Sequence, residues 1–417
     1  MTGLLAARLA DPAAYLPSIE RVAAALAPAR PAEAAALRRE PMAVARRLVA
    51  AVAAGWRPAP AARRTIVVDK PRTVVELEPL DRIVHGVVGA ALTDVLEPQL
   101  PDGLYSYRRG RNAAGAARAV HAAAVAHRAA RPDPTTRGLW VIRFDVADYG
   151  DSVPIDDDAP LWPMLASALA GEPAPVAALV RTLLSCGAEG EFARRGLPVG
   201  SPVANPMNNL YLVGLDRQLA ATAEVAVRYG DDVTAVFTTA AAAADALAEA
   251  EAELARLGLA LRASKLQRLY WTGSGRRPTV AGWSPARHVP VCGLEVAFVG
   301  GDRVKTSRRR ALLAALRQRL RATARLLPPG PPATRAEGLC QAARALLAVD
   351  SPLVLPTVPP LLDATSCRTQ LAEMDRAIAV EIAGLAAGVP GPRALRVVSW
   401  RSLHAAGLPS LTAQRNR

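Results

Sequence analysis

Lysine is almost missing from this 417-residue chain: it occurs only at Lys70, Lys265 and Lys305, although lysine and arginine together number 51. Every other cation is arginine, so the three lysines mark places where a compact or deprotonatable ammonium is needed and a guanidinium does not substitute. Cysteine and histidine are sparse as well. Cys186, Cys292, Cys340 and Cys367 lie far apart, as do the five histidines, which leaves no readable zinc knuckle or disulfide framework. Four scattered thiols fit a reducing compartment. Aromatic residues make up 4% of the chain, and alanine inflates the 51% hydrophobic fraction. No apolar run reaches the roughly 18 residues of a membrane span, and the N-terminus lacks a charged segment followed by an apolar one. These absences lead to the expectation of a globular, cytoplasmic protein with no membrane partner.

What the chain does have is positive charge. Its formal net charge is +14, which points toward a polyanionic partner or a heavily solvated surface. The length allows two or three subdomains. Residues 1–60 read as Ala/Leu/Arg-rich helices broken by Pro28, Pro31, Pro41 and Pro58. The β-branched run "RTIVVDKPRTVVELE" predicts a hairpin turning at Asp69 to Pro71, and 81–97, 111–129 and 203–221 predict helices. In "GLWVIRFDVADY" the alternation places Trp140, Ile142 and Phe144 on one face and Val141, Arg143 and Asp145 on the other, with Asp145 facing out of the core. Asp156 to Asp158 read as a solvated turn or helix N-terminus rather than a metal site. The stretch "VPVCGLEVAFVGGDRVKTS" predicts a hairpin turning at Gly300 and Gly301. In the helix that begins near Ser307, Leu312, Leu316 and Leu320 form one stripe and Arg317, Arg321 and Arg325 another. The second stripe suits phosphates or simple solvation.

The chemistry concentrates in "VAVRYGDDVTAVF", which sets Asp231 beside Asp232 between apolar runs in a basic chain. Tyr-Gly-Asp-Asp alone is a weak signal, since turns between strands often hold Gly and Asp. Its surroundings are more specific. "RFDVADYGDSVP" lies upstream, "GLPVGSPVANPMNNLYLVGLD" lies between, and "LGLALRASK" and "VCGLEV" follow.

With these pieces in this order, the sequence resembles reverse transcriptases from about Trp56 to Lys305, specifically the bacterial group related to group II intron, retron, diversity-generating and phage-defence enzymes. "GWRPAPAARRTIVVDKPR" and the segment from Leu77 to Val120 resemble their fingers. The resemblance implies an α+β fold, a right-hand polymerase: an N-terminal helical region (1–60), fingers (61–138), a ferredoxin-like palm with part of the fingers (139–304), and a helical thumb with a C-terminal extension (305–417). It implies RNA-directed DNA synthesis, in which a primer 3′ hydroxyl attacks a dNTP on an RNA template. Two Mg2+ ions about 3.5–4 Å apart would serve the transfer, and they explain paired carboxylates; Mn2+ can substitute. Asp145 and Asp231 are the implied bridging ligands, with Asp232 nearer the edge and the carbonyl of Val146 as a further ligand.

Other roles are also carried over from the resemblance. Lys70 and Arg72 align with residues gripping the incoming triphosphate, and Lys265 with a candidate general acid at the leaving pyrophosphate. Arg82, Arg109 and Arg111 hold template backbone or brace the fingers, and Arg317 and Arg321 would follow nucleic acid. Two departures fall around the incoming sugar. Gly150 stands where relatives carry an aromatic wall, with Tyr149 one residue earlier, and Pro198-Val199-Gly200 replaces the usual Pro-Gln-Gly. Weak rejection of NTPs is therefore expected unless Tyr149 or another group swings in. Alternatives are a polymerase making RNA or untemplated polymer, and a maturase-like RNA-binding protein without catalysis. No His/Cys cluster supports an attached HNH endonuclease. Antiviral defence, retron-like synthesis with a dedicated non-coding RNA, diversity generation and a domesticated intron relative remain open contexts.

Overall fold

A computed structural model describes residues 3–67, 71–131, 133 and 138–415. The chain is α+β, as expected, and divides into two compact units: Met1–Asn112 with Trp140–Arg268, and Ala113–Leu139 with Leu269–Arg417.

The first unit opens with helices Leu4–Ala10, Leu16–Leu26, Pro31–Arg39 and Pro41–Ala53. Pro31 and Pro41 occupy the first helical position, where a missing N–H costs nothing and the fixed φ is already helical, so these prolines start helices as much as they end them. Strands β1 (Ala62–Val67) and β2 (Pro71–Glu76) pair antiparallel as the expected hairpin. Its turn, with Lys70, lies outside the described residues. The helix Pro79–Leu96 follows, and Ile83, Val84, Val88 and Leu92 are fully buried on it.

Strands β3 (Leu139–Asp145), β4 (Val225–Tyr229) and β5 (Asp232–Phe237) form the central antiparallel ladder in the order β4-β5-β3. β3 is buried on both faces, which corrects the expectation that Asp145 faces outward: Asp145 is only 4% exposed. The segment expected as one helix over 203–221 is two, Ala204–Tyr211 and Val213–Thr222, separated at Leu212, whose φ of −104° and ψ of 12° leave the helical region. The helix Ala240–Arg256 is capped by the Thr239 hydroxyl, which accepts from the Ala242 N–H, and ends at Gly258 with φ +72°.

In the second unit the helix Ala113–Ala130 is joined by β6 (Gln267–Trp271, its first two residues in the first unit), β7 (Ser284–Ala286), β8 (His288–Val291), β9 (Leu294–Ala297) and β10 (Arg303–Val304). β8 and β9 turn at Cys292 and Gly293, whose φ values of 48° and 83° suit a tight two-residue hairpin. The expected turn at Gly300 and Gly301 is thus a second one, between β9 and β10. The helix Thr306–Leu326 buries Leu312, Leu316 and Leu320, the predicted stripe. Leu339, Cys340 and Leu347 of Pro332–Leu347, and Met374, Ile378 and Ile382 of Arg368–Ala387, complete the core of this unit. The Asp375 carboxylate accepts the N–H groups of Leu411 (2.7 Å) and Thr412 (3.2 Å), holding the last helix, Leu411–Arg415. Among the described residues no helix is long and apolar enough to cross a membrane.

Candidate active site

The register of β3 against β5 sets Asp145 directly opposite Asp232 and Arg143 opposite Thr234. Opposed like charges destabilise an antiparallel pair, and the fold meets this with a third side chain. Successive strand residues alternate faces, so Arg143 shares the face of Asp145. Its Nη2 donates to Asp145 Oδ1 at 3.2 Å and to Asp232 Oδ2 at 2.8 Å. The Arg143 and Asp145 side chains are 10% and 5% exposed, and that of Asp232 is 17% exposed. Lys265, in a short turn of helix over Ala263–Lys265, forms an ion pair with Asp145 Oδ2 and keeps a half-exposed side chain.

Asp231 occupies the β4–β5 turn after Gly230, whose φ of +67° is left-handed and suits glycine. Its main-chain carbonyl accepts from the Val146 N–H at 3.1 Å, which ties the turn to the end of β3. Among the described residues its carboxylate has neither a hydrogen-bond partner nor an ion pair. The 260–262 segment closes the other side: Arg262 N donates to the Asp145 carbonyl and Ala147 N to the Ala260 carbonyl, both at 2.8 Å. The Arg262 guanidinium reaches Asp148 at 2.6 Å.

A buried arginine that the sequence reading passed over holds the turn from below. Arg228 of β4 is 1% exposed and meets Asp216 with two contacts, Nε to Oδ1 at 2.7 Å and Nη2 to Oδ2 at 2.6 Å. It also donates to the carbonyls of Gly230 and Asn209, both at 3.0 Å. Burial works against the charged form of Arg228, but the Asp216 charge outweighs it and raises the Arg228 pKa, so the guanidinium stays charged. The available signal was an arginine inside the otherwise apolar strand "VAVRY". Nothing local to it named Asp216 as its partner.

Around the nucleotide positions implied by the resemblance, Val75 N on β2 donates to the Val199 carbonyl at 2.9 Å, and Arg63 on β1 donates to the carbonyls of Gly187 (2.9 Å) and Gly196 (2.8 Å). The β1–β2 hairpin is thereby bound to the loop carrying Val199 and Gly200, where Gly200 has φ +94°. Arg72 lies on β2, paired with Ile66. Tyr149 does not stand free to act as a wall. It is buried, and its hydroxyl donates to the Asn208 carbonyl at 2.6 Å, with burial pushing its pKa upward. A Cβ added to Gly150 would come within 2.9 Å of Val199 Cγ2, so the valine fills the room beside the glycine.

Beneath the same loop, the fully buried His85 places Nδ1 2.5 Å from Ser201 Oγ and Nε2 3.6 Å from Cys186 Sγ. Burial lowers the His85 pKa to about 4 and pushes the Cys186 thiol up to about 12, so both are neutral near pH 7. Four of the expected nucleic-acid arginines have carboxylate partners: Arg109 meets Asp94 at 3.1 Å, Arg111 meets Asp102 at 2.7 Å, and Arg317 and Arg321 meet Glu381 at 2.8 and 3.8 Å. Arg109 stays 72% exposed, and Arg317 and Arg321 are 50% and 61% exposed.

Among the described residues no three His, Cys, Asp or Glu side chains stand together as a ready-made metal cage. The donors present are carboxylate and carbonyl oxygens. That set fits Mg2+, which is typically held by one or two carboxylates together with substrate phosphates rather than by an all-protein shell.

A comparison with curated proteins finds no match. One solved structure similar to the chain is an apo telomerase from Candida tropicalis truncated from its C-terminal domain, with 10% identity and a TM-score of 0.42; the match covers 59% of this chain and 56% of that one. The family model described as "Reverse transcriptase (RNA-dependent DNA polymerase)" matches residues 63–296, more than half of the chain and all of the carboxylate site above. Its α+β architecture is accordingly that of a right-hand polymerase, and the chain belongs to the reverse transcriptase (RNA-dependent DNA polymerase) family.

Proposed function

We propose that the chain extends a primer 3′ hydroxyl with dNTPs on an RNA template, with Asp145, Asp231 and Asp232 as the carboxylates of the reaction centre. The observation that carries this reading is the β3–β5 register, which brings carboxylates from two distant segments together beside a turn tied to Val146. Divalent ions, Mg2+ or Mn2+, supply Lewis acidity at the phosphoryl oxygens and favour ionisation of the attacking hydroxyl. Asp145, Asp231, Asp232 and the Val146 carbonyl are the groups that would hold them.

The side chains divide the remaining work. Arg228 and Asp216 fix the turn so that Asp231 is presented rather than mobile. Lys265, on a long half-exposed stem at Asp145, is the cation able to move to a phosphate and deliver a proton to the leaving pyrophosphate. Lys70 and Arg72 serve the triphosphate from the β1–β2 hairpin, which belongs to the fingers on this reading. β3 to β5 belong to the palm, and the helix Thr306–Leu326 to the thumb. The parent group is the bacterial reverse transcriptases of intron, retron, diversity-generating and defence type.

A second reading, in which NTPs are also accepted, is favoured by Tyr149. Its hydroxyl bond to Asn208 keeps the ring in the core, which leaves Gly150 and Val199 beside the sugar position. Primer extension on an RNA template with dNTPs or NTPs tests both readings. Extension with dNTPs, lost in Asp231→Asn, is expected. Full activity of that variant would refute the assignment, and strong rejection of NTPs by the unmodified chain would remove the second reading.

A further inference from the structure

The proposed site holds a cation of its own. Arg143 bridges Asp145 and Asp232 through one nitrogen, at 3.2 and 2.8 Å, from a side chain that is 10% exposed. Its position follows from the chain itself. Two residues before Asp145 on β3, it must share that residue's face, and the β3–β5 register makes it the diagonal neighbour of Asp232. Lys265 meets the same Asp145 differently, from a long four-carbon stem that is 44% exposed. Arginine cannot shed its proton and presents a rigid fork that suits carboxylates.

We propose that Arg143 is a resident counter-cation that competes with divalent ions for Asp145 and Asp232. It lowers the affinity of these carboxylates for free metal, so that the ion enters together with the substrate's phosphates. This makes Arg143 a positioning residue that acts through the two carboxylates, and the inference rests on the reading of Asp145 and Asp232 as metal ligands. Three anionic side chains gathered where β3 ends and β5 begins would otherwise bind divalent ions without substrate. A guanidinium already on two of them offsets that attraction while keeping both carboxylates oriented.

The test is Mn2+ binding by the purified full chain without nucleic acid or nucleotide, read by the electron paramagnetic resonance signal of free Mn2+. Removing a full charge within hydrogen-bond distance of both ligands is expected to tighten the Mn2+ dissociation constant of Arg143→Gln by about tenfold or more. Arg143→Lys, which keeps the charge but loses the fork, is expected to fall between Arg143→Gln and the unmodified chain, and it serves if the glutamine variant does not fold. Asp145→Asn is expected to weaken binding. If Asp145→Asn weakens binding while both Arg143 variants, folded by circular dichroism, bind Mn2+ no more tightly than the parent, the counter-cation inference fails alone. If Asp145→Asn leaves binding unchanged, the ligand assignment fails and takes the inference with it.

Discussion

Replacing Arg228 by methionine should unfold the turn that carries Asp231, and its cost can be worked from the contacts. The guanidinium is 1% exposed and makes two contacts with Asp216, itself 7% exposed, at 2.7 and 2.6 Å. Removing one member of such a buried pair leaves the other charged and unsolvated, at about 3–5 kcal/mol. Arg228→Met and Asp216→Leu are each expected to lose that much. In the double variant neither charge of the pair remains, and the residual cost comes from the carbonyls of Asn209 and Gly230, each left without its 3.0 Å donor, at about 1–3 kcal/mol apiece. The double variant should therefore be far less destabilised than the two single losses added together. Urea unfolding followed by tryptophan fluorescence, extrapolated linearly to water, measures all three. Strict additivity, or a loss below about 1 kcal/mol for Arg228→Met, would show that the pair is not the buried pillar described above.

Two further outcomes follow from the loop behind the site. His85 has a folded pKa of about 4, below the ordinary value of 6.5, so the unfolded chain binds its proton first. The stability it contributes is complete above about pH 6.5 and is lost as pH falls toward 4, in all about 3 kcal/mol. His85→Gln should flatten that part of the pH–stability curve, and an unchanged slope would count against a neutral buried imidazole. Gly150→Ala places a Cβ 2.9 Å from Val199 Cγ2 and should cost about 1–3 kcal/mol by overpacking, with Val199→Ala restoring stability in the double variant. Denaturation curves of the three proteins, with KM for dNTPs, would expose an error if the valine change gave no rescue.

Period and punctuation made the elements legible. A β-branched run marked β1 and β2, alternation marked β3 as a strand, and Leu312, Leu316 and Leu320 marked the buried face of their helix, because period is a property of the strand or helix itself. The errors arose where a longer-range partner decides. The break at Leu212, the Cys292–Gly293 turn and the burial of Asp145 depend on what packs against those segments, and no local pattern carries that.

The order of the motifs, the adjacency of Asp231 and Asp232, and the family itself were determined by the sequence alone, since residue identities and spacing along the chain are all they require. Only the tertiary structure decided that Arg143 spans two carboxylates from separate strands, that Arg228 meets Asp216 beneath the turn, that Tyr149 turns into the core, and that Arg317 and Arg321 meet Glu381. Charge pairing and burial are set by distances through space between residues far apart in the chain, and those distances exist only once the chain has folded.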